Sequence, residues 1–150
     1  MKRYEELKDI FYQKIEEKCH GIYKQRAYFH SIQVSTLCMV YAKEKNLNIE
    51  LSGILGLFHD YSQYINHTSF AHATLSSEMT EKILQDHQFH DNEINIIKIA
   101  IAHHSDKDRI HDEYSEILKD ADLVAKYYEE PDTLFKNYEK DRIKKHISSY

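Results

Sequence analysis

The stretch Leu51–Asp60, LSGILGLFHD, is almost wholly apolar and ends in a histidine beside an aspartate. Leu51, Ile54, Leu55 and Phe58 recur at the spacing of one helix face, and a helix this apolar belongs at the centre of an all-helical domain. Gly53 and Gly56 carry no side chain, so a second helix can approach closely there. His59 and Asp60 then fall near the last turn, on the border of the core. An imidazole and a carboxylate need a partner in such a place, because unpaired buried polar groups are costly. A metal ion is one such partner; a hydrogen bond or salt bridge is the other.

The rest of the chain supplies helices to surround this one. Tyr4 to Cys19 places Leu7, Ile10, Phe11 and Ile15 on one face, and Gly21 interrupts it. Arg26 to Lys45 reads as a second helix with His30 in its first turns. Tyr61 to Ser69 lacks clear periodicity and reads as a loop or a broken turn, placed to form a rim over the His59-Asp60 site. Phe70 to Leu84 carries His72 in its first turn, with Leu75, Met79 and Ile83 inward. Asn92 to His104 is a second apolar run that ends in a histidine pair, His103-His104. Glu113 to Tyr128 sets Asp122 beside a stripe of Ile117, Leu118, Ala121, Val124 and Ala125. Pro131 stops that helix or opens a last one running to Ile147, with Leu134, Phe135, Tyr138 and Ile143 as its apolar positions. One proline and three glycines argue against a turn-rich β fold. The expectation is an all-α bundle of about six or seven helices in a single domain over residues 1–150.

The net charge of -5, from 20 basic and 25 acidic residues, argues against a broad surface for a nucleic-acid polymer. The basic run at 141–146 reads as a solvated terminal helix. Cys19 and Cys38 have neither disulfide-framework nor zinc-motif spacing and are expected in the core. No segment is apolar enough to span a membrane, and the charged MKRYEELKDIFYQK lacks the core of a signal peptide. A cytoplasmic protein, monomeric or homodimeric, is expected.

Histidines and aspartates form a mixed N/O donor set suited to divalent Fe or Mn, and also to Co, Ni or Zn. His30, His59, Asp60 and Asp122 make one four-ligand set; His72 and His104 add room for a second ion, with Asp60 between the two. Sequence spacing does not show that these side chains meet. FHSIQV around His30, LFHD at His59-Asp60 and LKDADLVAKY around Asp122 occur in the order of the HD superfamily of metal-dependent phosphohydrolases, which this chain resembles from about Arg26 to Tyr128. The resemblance implies a helical core and a ligand set of His30, His59, Asp60 and Asp122, with Asp120 a further candidate in the last segment. SFAHATLSSEM and His104-Ser105 are similar to the subgroup that hydrolyses dinucleoside tetraphosphates. By that likeness His72 and His104 ligate a second metal, His103 faces elsewhere, and the substrate is a small phosphorylated nucleotide.

The family commonly has a lysine soon after the aspartate and an arginine three residues before the first histidine. This chain has Gln63 and Ala27 there, with Arg26 one residue earlier. Gln63 can donate hydrogen bonds but carries no charge. Lys107 and Arg109, in the loop after His104, are candidates to replace that charge at a phosphate, with His111 beside them. His67 is a candidate to touch substrate or donate a proton, or a surface histidine. His20, His87, His90 and His146 read as surface residues. A non-catalytic nucleotide-binding regulatory module and a di-iron oxygenase are the alternative functions.

Overall fold

The computed structural model describes residues Met1–Tyr150 as eight helices and no strand. They are α1 (Lys2–Lys18), α2 (Gly21–Glu44), α3 (Ile49–Phe58), α4 (Tyr61–Ile65), α5 (His72–Gln85), α6 (Asp91–His103), α7 (Glu113–Glu129) and α8 (Asn137–Lys144). The all-α expectation is met. The additional element is α4, a short helix where a loop was expected; Tyr61, Ser62 and Tyr64 on it are buried, so tertiary packing orders a segment that has no apolar period of its own.

Helix α3 is the hub, as its composition requires. Every residue from Leu51 to Phe58 is buried, and α1, α2, α6 and α7 all pack against it. Its start is fixed by Asn48, whose side chain accepts from the Leu51 N–H at 2.9 Å. The close approach to α2 depends on Gly56: a Cβ there would stand 2.8 Å from Ser35 Cα, a backbone atom that cannot step aside. Ser35 Oγ seals the same contact by donating to the Gly53 carbonyl at 2.7 Å.

Around the hub, α1 buries Tyr4, Leu7, Phe11 and Ile15, the stripe its spacing implied. Arg3 ties the start of α1 to Glu50 and Glu93 through its guanidinium. Gly21, at φ +59°, marks the break between α1 and α2, and α2 begins there rather than at Arg26. Cys19 and Cys38 are buried and unbridged. No helix is long and apolar enough to cross a membrane.

The C-terminal segment departs from expectation. Pro131 follows the end of α7 and opens no helix; α8 starts six residues later, so an apolar register counted from Pro131 does not apply. Leu134 is accordingly 97% exposed, while Phe135 and Ile143 are buried. The basic run is not a solvated face either. Arg142 is buried, donating to Asp120 Oδ1 at 2.9 Å and to the carbonyls of Lys107 and Arg109. His146 faces Asp120 Oδ2 at 2.9 Å and stacks on Tyr41.

Candidate metal centre

Six helices deliver the residues of the site from their ends or one exposed face. His59 caps the C-terminus of α3 and Asp60 opens α4. Neighbouring residues in an unbroken helix point about 100° apart. Here the backbone leaves the helix at Asp60 (φ -111°, ψ 18°), and the two side chains converge, with His59 Nε2 3.1 Å from Asp60 Oδ2. His30 comes from α2 and Asp122 from α7, their Nε2 and Oδ1 3.0 Å apart. On the other side of Asp60, its Oδ1 lies 3.3 Å from His72 Nε2 and 3.1 Å from His104 Nε2. His72 opens α5 directly after Ala71, which is held in the left-handed region at φ 46°. That conformation is unfavourable for alanine and is retained where the chain must turn to present His72.

Two groups of donor atoms result, His30–His59–Asp60–Asp122 and Asp60–His72–His104, and within each group the atoms lie within 4.8 Å of one another. Asp60 gives one oxygen to each. The imidazoles are oriented from behind. His59 Nδ1 donates to the Gly56 carbonyl at 2.7 Å, His104 Nδ1 to Ile101 at 2.7 Å and His72 Nδ1 to Ser69 at 3.1 Å. His30 Nδ1 donates to the Glu129 carboxylate at 2.9 Å. A carbonyl or carboxylate oxygen can only accept, so each Nδ1 carries the proton and each Nε2 aims a lone pair into the site when the ring is neutral. Yet His30 Nε2 and His59 Nε2 stand 3.2 Å apart, as do those of His72 and His104. Neutral rings in that arrangement have no proton to share between them. A cation between the lone pairs satisfies all four, and the mixed imidazole and carboxylate set fits a divalent transition metal.

The charges respond accordingly. Burial opposes ionisation of Asp60, but charged His59 and the hydrogen bonds from His104, His59 and His72 outweigh it and hold the carboxyl well below its usual range. Asp122 is likewise depressed against burial, by Lys107 and His59. Burial also opposes charge on His30, yet the hydrogen bonds to Asp122 and Glu129 push it up to about 10. His59 is likewise raised against burial, to about 9, by the charges of Asp60 and Asp122, whereas burial lowers His104 and favours its neutral ring.

His104 is 1% exposed and joins the site, whereas His103 turns away and stacks on His111 at 3.8 Å between ring centroids. Asp120 points to the opposite side of α7, toward α8. Gln63 lines the cleft over the metal centre, and Lys107 both lines it and reaches Asp122 Oδ2 at 2.8 Å. Arg109 does not line the cleft; its carbonyl accepts from Lys119 and Arg142. Nor does His67, whose ring stacks on Tyr23 while its Nε2 donates to the Lys18 carbonyl at 2.8 Å. The sequence reading missed Glu129, although it lies seven residues after Asp122 and so on the same helix face. Arg26 also lines the cleft, one residue before Ala27, which holds the position three residues ahead of His30.

The family model described as HD domain matches residues 27–127. Ribonuclease Y of Geobacter metallireducens is 29% identical over 86 residues, covering 57% of this chain and 15% of that protein. Over the same length, Ribonuclease Y of Lawsonia intracellularis is 31% identical and that of Pelobacter propionicus 27%, each again covering 57% of this chain and 15% of the relative. The chain therefore matches only a small part of these relatives' own length. No solved structure matches it significantly.

Proposed function

The chain belongs to the HD domain family, and on that premise we propose that it is a metal-dependent phosphohydrolase acting on a nucleotide or dinucleoside polyphosphate. The observation that carries this reading is Asp60, a single carboxylate with one oxygen in each of two histidine-rich donor groups. His30, His59, Asp60 and Asp122 would hold one ion, and Asp60, His72 and His104 a second. Two bound divalent ions supply an acidified water and positive charge for the oxygens of a phosphate under attack.

The protein's own groups prepare that chemistry. Glu129 and the carbonyls of Gly56, Ser69 and Ile101 fix the tautomer and direction of the four imidazoles. Lys107 neutralises the outer oxygen of Asp122 and places the positive charge nearest the site, where the family more often has a lysine shortly after the aspartate. Gln63 offers an amide donor to a phosphoryl oxygen without charge. The likeness to Ribonuclease Y favours a second reading, a phosphodiester of RNA.

The test is metal content by elemental analysis, joined to hydrolysis of p-nitrophenyl phosphate esters and nucleotides with Mn²⁺ or Fe²⁺. One ion per donor group and metal-dependent hydrolysis are expected, both lost in Asp60→Ala. Fully loaded protein that hydrolyses none of these compounds would make the chain a binding module instead.

A further inference from the structure

The metal centre occupies only the floor of a larger cleft of about 1090 Å³. Its outer walls come from the first turns of α2, the last turns of α7 and the start of α8. Large apolar side chains left in water are scattered singly on most proteins. Here Ile22, Phe29, Tyr128 and Tyr138 are 71%, 62%, 56% and 37% exposed, and all four line this one cleft. Arg26, Lys126 and Lys136 line it beside them.

Arg26 precedes His30 by four residues and Lys126 follows Asp122 by four, which places each about 6 Å along its helix from a metal-site residue. Ile22 lies one further turn out on α2. Tyr128, Lys136 and Tyr138 complete the outer rim on the α7 and α8 side. Phe29 adjoins His30 while Tyr128 and Tyr138 lie further out, so cationic and aromatic side chains stand side by side from the metal-site residues to the rim. An anionic phosphate against Arg26 and Lys126 and a planar aromatic group against the neighbouring rings match that mixed lining.

We propose that this outer cleft is a subsite for the nucleobase and distal phosphate of a small nucleotide, with Phe29, Tyr128 and Tyr138 as stacking faces and Arg26 and Lys126 on the phosphate. It rests on the hydrolase reading and adds the recognition of the leaving part of the substrate. A nucleic-acid polymer fits less well, because Glu129, Glu130 and Glu139 line the same walls and would face a continuous phosphate backbone. Stacking on an aromatic side chain tolerates any base, so the subsite selects for a base without selecting which one.

The experiment is calorimetric binding of ADP, inorganic pyrophosphate and a short oligoribonucleotide to the Mn²⁺-loaded protein. The variants are Phe29→Ala and Tyr138→Ala, with Leu134→Ala as an exposed control outside the cleft. ADP is expected to bind about tenfold more tightly than pyrophosphate, and the two aromatic variants to lose most of that margin while the control keeps it. Equal affinity for ADP and pyrophosphate overturns the subsite but leaves the hydrolase reading standing. Tighter binding of the oligoribonucleotide than of ADP overturns the small-nucleotide assignment. No binding of any of the three by loaded protein defeats the hydrolase reading and the subsite with it.

Discussion

At the scale of single residues, the most informative side chain is one that carries no ligand atom. Glu129 holds the Nδ1 proton of His30 with both carboxylate oxygens, at 3.0 and 2.9 Å. It thereby fixes which nitrogen is offered to the metal and raises the basicity of the ring. Removing such a partner from a metal-binding histidine typically lowers affinity about 10- to 100-fold. Glu129→Ala is expected to weaken Mn²⁺ binding by that amount in a calorimetric titration. The loss should be confined to one of the two ions, since His72 and His104 have their own carbonyl partners. An unchanged affinity would mean that backbone packing alone orients His30.

Among the elements, α8 differs most from the solvated terminal helix that its charges suggested. Asp120 on α7 is 3% exposed, and Arg142, Lys145 and His146 all meet its carboxylate. Burial raises the Asp120 pKa, but the hydrogen bonds from His146 and Arg142 and the charge of Lys145 outweigh it, so the net shift is downward. A carboxyl depressed in the folded state stabilises fully above its unfolded value, near pH 4, and loses that contribution as the pH falls through the folded value. Asp120→Asn is expected to cost about 2 kcal/mol at pH 7, because buried Arg142 then keeps only the Glu116 carboxylate, 3.1 Å away, as its anion. Urea unfolding at pH 7 and again near pH 3 checks this: the difference between wild type and variant should shrink in acid. A constant difference would show that Asp120 stabilises by packing rather than by charge.

For the whole molecule, the donor set reaches across six helices that are far apart in sequence, from His30 on α2 to Asp122 on α7. An ion bound there by the folded chain and not by the unfolded one shifts unfolding by mass action. At a free concentration one hundred times its Kd, each ion adds about 2.7 kcal/mol. For a chain of this size that corresponds to a rise in Tm of about 5–10 °C per ion. Thermal unfolding with excess Mn²⁺ and after chelation should differ by at least that much, and coincident curves would show that the donor groups hold no metal.

The sequence alone determined the helical class, the central position of Leu51–Phe58 and the residues most suited to bind metal, because each rests on local chemistry. An apolar period of 3.6 residues dictates a buried helix face, and only histidine and carboxylate side chains offer this mixed donor set. Tertiary structure decided what those residues do together. It broke the helix at Asp60 so that two adjacent side chains could converge, and it turned His104 inward and His103 away. It also brought Lys107 to Asp122 across 15 residues and Glu129 to His30 across 99. It removed His67 and Arg109 from the cleft and buried Arg142 against Asp120. A charged or polar side chain carries no periodic mark of its partner, so its pairing appears only when the packed backbone brings distant segments within hydrogen-bond reach.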